Sequence, residues 1–156
     1  MENERRVVSV IVVNEASVLS RITDLFSGRG YNIESLTVAP IPDSKYSRLT
    51  IVTAGSVRVI EQITKQLHKL IPVLKVYDHV DFVEKEMALI KFPIGESITD
   101  IDILCQAYNG KIVNVGEDMV VAMVADEPKR VDNFLNAIKR FNPKEIVRGG
   151  AVALER

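Results

Sequence analysis

The chain reads as an α+β protein of two consecutive βαββαβ units, and three observations predict this. Short β-branched runs alternate with stretches of helical apolar spacing, turn residues fall at the joints, and the order of elements in the first half recurs in the second. At 156 residues the chain suits two small units or one larger one, and the repeat decides for two.

Residues 7–13 form an apolar run, β-branched except for Ser9, and predict a buried strand. Val18, Ile22, Leu25 and Phe26 then fall at helical spacing, with Leu19 widening the stripe. Ser17 is placed to cap this helix, and Gly30 suits the left-handed position past its end. Residues 33–39 are extended. Pro40, Pro42, Asp43 and Ser44 mark a loop, and residues 49–53 form the next strand. Gly55-Ser56 opens a second helix with Ile60, Ile63, Leu67 and Leu70 on one face. Pro72 ends it, and residues 73–83 read as one long strand.

In the second half, residues 87–92 are a strand, and Ile98, Ile101, Cys105 and Tyr108 mark a helix closed by Asn109-Gly110. Strands at 112–115 and 119–124 flank Gly116-Glu117-Asp118, a three-residue hairpin signal. Asp126 is placed to cap a helix entered through Pro128, with Val131, Phe134, Leu135, Ile138 and Phe141 inward. Residues 146–154 return as a strand broken at Gly149-Gly150. Right-handed βαβ crossovers place both helices of each unit on one face of an antiparallel sheet. The opposite face is then bare, and units of roughly 75 residues are marginal alone. A homodimer is expected on these grounds.

Composition narrows the function. Lys and Arg total 20 against 21 Asp and Glu, a net charge of −1 that gives no long-range field for nucleic acid or anionic membrane. The single cysteine, Cys105, excludes an internal disulfide and points to a reducing, cytoplasmic setting; its apolar neighbours make it a packed thiol. The N-terminal MENERRVVSV lacks the apolar core of a leader, and no run of about 18 apolar residues occurs.

A search for chemistry returns no catalytic and no metal residues. His68 falls opposite the apolar stripe of its helix, and His79 lies in the long strand between Asp78 and Val80. No Cys or His pair has zinc spacing, and nothing pairs a nucleophile with a base. The acidic pairs Glu84/Glu86 and Asp100/Asp102 read as solvated faces. An RNA-binding βαββαβ module needs stacking aromatics in its central strands, and VVSVIVV and RLTIVTA hold none. A phosphate-hydrolysing relative of this topology needs an arginine where Asn14 and Glu15 stand.

The loop Asn14-Glu15-Ala16-Ser17 has a different use. A helix N-terminus presents free amides and partial positive charge to a carboxylate. The Asn14 carboxamide both donates and accepts, and Glu15 can face an ammonium group. Asn32 follows the first helix at a turn. On spacing alone, Asn14 and Asn32 read more readily as turn formers than as ligand groups.

The segments NEASVLSRITDLFSGRGYNIESLTVAP, SRLTIVTAG and VIEQITKQLHKLIPVLKV resemble the regulatory (small) subunit of acetohydroxyacid synthase, also called acetolactate synthase. The likeness resumes at GKIVNV and GGAVALER, and the segment 19–40 is specific to this family. The resemblance implies an amino-acid-binding ACT domain over residues 1–80 and a second ferredoxin-like domain over 81–156. It implies that the chain is not itself an enzyme. Its partner would be a catalytic large subunit holding thiamine diphosphate, flavin and magnesium, which joins two pyruvates, or pyruvate and 2-oxobutyrate. The small subunit would activate that partner and confer feedback inhibition by a branched-chain amino acid, usually valine. In the family, the effector sits at the ACT dimer interface. By position, Asn14, Ser17, Val18 and Leu19 of one chain and Asn32 and Ile33 of the other would hold it. The family usually has glycine where Ser17 stands, and that departure would weaken valine feedback or change effector choice. The alternative is a free-standing ACT sensor acting on a transporter or transcription factor.

Overall fold

The structure, a computed structural model, describes residues 3–95 and 98–156; Met1 and Glu2 of the charged N-terminal run, and Glu96 and Ser97, lie outside it. The chain divides into two compact units. One ends at Val83 and also takes in Ala153–Arg156; the other is Glu84–Val152. The boundary expected at 80/81 therefore falls three residues later, and the last four residues join the first unit rather than the second.

The first unit runs β1 (Glu4–Val13), α1 (Val18–Gly28), β2 (Ile33–Pro40), β3 (Tyr46–Gly55), α2 (Val57–His68) and β4 (Val73–Asp78). Its sheet is antiparallel in the order β2-β3-β1-β4. The second unit is built on β5 (Phe82–Pro93), α3 (Ile98–Ala107), β6 (Gly110–Val115), β7 (Met119–Asp126), α4 (Pro128–Ala137), a 3-10 turn (Ile138–Phe141) and β8 (Glu145–Arg148). Its order, β6-β7-β5-β8, repeats that of the first, and β9 (Val152–Glu155) pairs with β5.

Strand alternation builds each core. Val8, Val10 and Val12 of β1 join Leu49 and Ile51 of β3 against Val18, Ile22, Phe26, Ile60, Ile63 and Leu67 of the helices. In the second unit, Ala88, Ile90, Phe92, Ala122 and Val124 meet Ile101, Cys105, Val131, Phe134 and Ile138. Both helices of each unit thus cover one face, as the crossover rule requires. Helix α1 stops as its glycine predicts. Gly30 has φ +69°, its N–H donates to the Ser27 carbonyl, and Tyr31 N–H reaches back to the Phe26 carbonyl at 2.9 Å.

Several local expectations shift. The strand expected over 73–83 breaks at residues 79–81, because His79 turns in, its N–H donating to the Val7 carbonyl. Ser17 occupies the cap position of α1, but its hydroxyl makes no cap bond. Its ψ of −7° is already helical, whereas Ser56, at ψ 160°, accepts from Val59 N–H. The cap of α4 is Glu127 rather than Asp126.

The helix-free face of the first sheet is not bare. Val7, Ser9, Thr50 and Val52, which alternate away from the helices, are all buried. On the second sheet the expectation holds: Met87, Leu89 and Val147 are exposed there.

Glu86 departs from the solvated reading, since it is buried, with Arg148 Nη2 at 2.6 Å from its carboxylate. The register sets Glu86 directly opposite Asp126. Two facing carboxylates repel unless each has its own cations. Arg148 serves Glu86, while Arg130 (2.7 Å) and Lys85 (3.0 Å) serve Asp126. The Asp126 carboxyl is lowered to about 2, first by the Glu127 N–H that donates to it and then, against the opposing effect of burial, by Arg130 and Lys85. A depressed folded value means that its stabilisation is complete above the unfolded value near ~4 and lost as pH falls toward about 2. Asp126→Asn is therefore expected to cost about 1–3 kcal/mol at neutral pH. The cost should shrink below about pH 4, as denaturant melts of both chains from pH 7 to 2 would show. An equal cost at pH 7 and pH 2 would contradict it.

Candidate effector-binding site

The segment between β1 and α1 is held by its backbone. Asn14 N–H donates to the Lys45 carbonyl (2.9 Å), Glu15 N–H to Val13 (2.8 Å) and Arg21 N–H to Ser17 (3.1 Å). Asn14, Glu15, Ala16 and Ser17 are exposed, and Val18 is buried beneath them. A cavity of about 120 Å³ opens here, lined by Val12, Val13, Asn14, Glu15, Val18, Leu19, Val38, Ser47 and Leu49. Asn14, Val18 and Leu19 thus share one concavity. Ser17 lies one residue before its wall and is not among the lining residues. Val38, Ser47 and Leu49 complete it from β2 and β3. Only strand register could have revealed them, because nothing near Asn14 in sequence points to them.

Asn32 and Ile33 lie elsewhere. Val13 opposes Tyr46 on β3, whereas Ile33 opposes Thr53, seven residues farther along and roughly 23 Å away at the usual strand rise. One chain does not bring the two halves of the expected site together. Asn32 is not among the described residues with positive φ, and its carbonyl accepts from the Thr53 hydroxyl.

Among the described residues, no group of three or more His, Cys, Asp or Glu is placed to hold a metal ion. No helix among the described residues is long and apolar enough to cross a membrane. Cys105 is fully buried, and burial, aided by the charge of Asp102, pushes its thiol up to about 11, away from thiolate chemistry. His68 is exposed.

One arrangement contradicts the expectation that no nucleophile meets a base. Ser9 Oγ lies 2.6 Å from His79 Nε2, and His79 Nδ1 lies 3.5 Å from Glu155 Oε1. The sequence hides this because Ser9 and His79 are 70 residues apart and meet only through the β1–β4 register. The order Ser-His-acid resembles a hydrolytic triad, but the surroundings forbid that role. Ser9 is 0% exposed, and Arg48 Nη2 donates into its hydroxyl oxygen at 3.1 Å, so no substrate carbonyl can approach. The group is a polar cluster, buried at Ser9 and His79 and open to solvent at Glu155.

A second concavity, about 220 Å³, lies on the helix-free face of the second sheet. Leu89, Val121 and Val147 line it, with the Lys91–Glu145 pair (3.5 Å) beside them. It is mostly apolar and lacks the converging polar groups of a specific ligand site.

Comparison with known proteins accounts for both units. Residues 8–75 match the model of the acetohydroxyacid synthase small-subunit-like ACT domain, and residues 85–156 match that of the small subunit of acetolactate synthase. The acetolactate synthase small subunit of Haemophilus influenzae is 40% identical over 156 aligned positions, covering 97% of this chain and 96% of that protein. The isozyme 3 small subunit of Escherichia coli is 41% identical with the same coverage. The crystal structure of the acetolactate synthase small subunit from Thermotoga maritima superposes with a TM-score of 0.91 at 35% identity, over 98% of each chain. With a matching family model on each unit and relatives aligned along nearly its whole length, the chain belongs to the family of small, regulatory subunits of acetolactate synthase.

Proposed function

We propose that this chain activates the catalytic large subunit of acetolactate synthase and makes it sensitive to valine or a related branched-chain amino acid. In this reading the effector lies between the ACT domains of two copies. Asn14, Ser17, Val18 and Leu19 come from one copy, and Asn32 and Ile33 from the other. The cavity at the start of α1 is the observation that carries it. It joins apolar walls (Val18, Leu19, Val38) to an amide-rich helix start and a carboxylate, matching an aliphatic side chain, a carboxylate and an ammonium. Its volume of about 120 Å³ falls below the ~300 Å³ of ordinary ligand pockets, and in this reading a second copy completes the enclosure. The separation of Asn32 from Asn14 within one chain supports the same conclusion. Thiamine diphosphate, flavin and magnesium are assigned to the catalytic partner, and the assembly to the cytoplasm.

Inhibition requires that the effector bind one state of the complex better than another, so affinity and inhibition report together. The test is activity of the catalytic subunit with and without this chain, titrated with valine, leucine and isoleucine. Activation followed by saturable inhibition supports the reading. Absence of both, with no co-purifying large subunit, favours the free-standing sensor.

Ser17 refines the expectation. Its φ of −90° needs no glycine, so serine adds no backbone strain at this position. What remains is an exposed side chain beside Val18. Ser17→Gly is expected to lower the half-inhibiting valine concentration, by roughly tenfold at most, or about 1.4 kcal/mol. Strong valine inhibition in the unsubstituted chain would defeat the idea.

A further inference from the structure

The chain passes between its two units twice, once after Val83 and again after Val152, and its last four residues return to the first unit. They lie where polar side chains of the helix-free sheet face wait for them. Arg48 Nη2 donates to the Ala153 carbonyl at 2.8 Å while also donating to Ser9 Oγ. His79 holds Ser9 through Nε2 and faces Glu155 through Nδ1, its ring stacked on Tyr77 (6.0 Å, 6°) and tilted against Phe82 (5.3 Å). Arg156 N–H and side chain both reach Asp81, but on an exposed surface where such a pair contributes little. Beside the pairing of β9 with β5, Arg48 and His79 tie the tail to the middle of β1.

Those anchors stand directly behind the candidate site. Arg48 points to the helix-free face, and its neighbours Ser47 and Leu49 point the other way and line the cavity. Ser9 lies on β1, and Asn14 follows five residues later, just past the strand's last residue, Val13. We propose that residues Ala153–Arg156 form a latch, received by Arg48 and His79, that stiffens β1 and β3 behind the cavity and so sets how tightly the Asn14 loop holds its effector. Arg48 and His79 are then positioning residues that never touch the effector. Ser9 and His79 are buried, and a buried polar pair of this kind stiffens the strands it joins and loosens them when a member is removed. A loosened loop must be ordered again when effector binds, which lowers affinity.

The effector arm of the test rests on the function proposed above, whereas the exchange arm does not. Amide hydrogen exchange is measured on the full chain, on a chain ending at Val152, and on Arg48→Met, Glu155→Gln and Arg48→Lys. Exchange over residues 9–14 and 47–49 should rise roughly tenfold in the shortened chain and in Arg48→Met. Glu155→Gln should raise it less, and Arg48→Lys, which keeps one donor for the Ala153 carbonyl, should restore part of the protection. In the assembled enzyme, the half-inhibiting valine concentration should rise roughly five- to tenfold with activation by the chain unchanged. Unchanged exchange at these segments, or an equal rise across both units, overturns the latch. A local rise without a shift in half-inhibition overturns its coupling to the site. If the unsubstituted enzyme ignores every branched-chain amino acid, the effector reading fails, and the exchange arm still decides the latch.

Discussion

Replacing Phe26 by alanine is expected to lower stability by about 3–5 kcal/mol, the range for removing a buried aromatic ring. Phe26 is 1% exposed in the last turn of α1, and its ring meets Tyr31 edge-on at 6.2 Å and 82°. Its carbonyl also receives the Tyr31 N–H that closes the helix. The substitution therefore opens a cavity and weakens the packing that holds the start of β2 in place. For a unit of this size each kcal/mol shifts the midpoint by roughly 4–8 °C, so a fall of about 15 °C or more in the melting of the first unit should appear. Phe134→Ala is the matched control, since Phe134 fills the second core and shares no cluster with Phe26. It should cost as much, yet leave amide exchange near Asn14 unchanged. A fall below about 4 °C for Phe26→Ala would show that the first core collapses around the gap.

The same contrast explains what could be read without coordinates. Helix faces such as Ile60, Ile63 and Leu67, and the left-handed stop at Gly30, follow from local period and backbone sterics. They were legible for that reason, and so was the repeated βαββαβ order. The misplaced features depend on partners far along the chain. The run 73–83 alternates without glycine or proline, and only the attraction of His79 to Ser9 and of its N–H to Val7 breaks it. Glu86 looks solvent-facing until the register delivers Arg148. In the candidate site, Asn14, Val18 and Leu19 were visible because a loop leading into a helix has a local signature. Ser47 and Val38 were not, because β-pairing alone brings them there.

Asn14→Asp tests the chemistry of that loop most sharply. Asn14 lines the cavity at the end of β1, before the first turn of α1, with Glu15 beside it. A carboxamide can donate to an effector carboxylate, whereas an ionised aspartate only accepts. The exchange keeps side-chain size and the backbone bond to Lys45, so the loop should hold its shape. What changes is that one charge-assisted hydrogen bond, usually about 1.5–3 kcal/mol, is lost and like charges are set facing each other. The half-inhibiting valine concentration should therefore rise by at least roughly tenfold and toward a hundredfold. Asn14→Ala, which loses the donor without adding charge, should show a smaller rise, and added salt should narrow the gap between the two variants. The ordering of the two decides how the site works. If alanine is as damaging as aspartate, Asn14 shapes the loop through its turn propensity and does not meet a carboxylate. If aspartate alone is severe, the start of α1 is where the effector's negative charge is read.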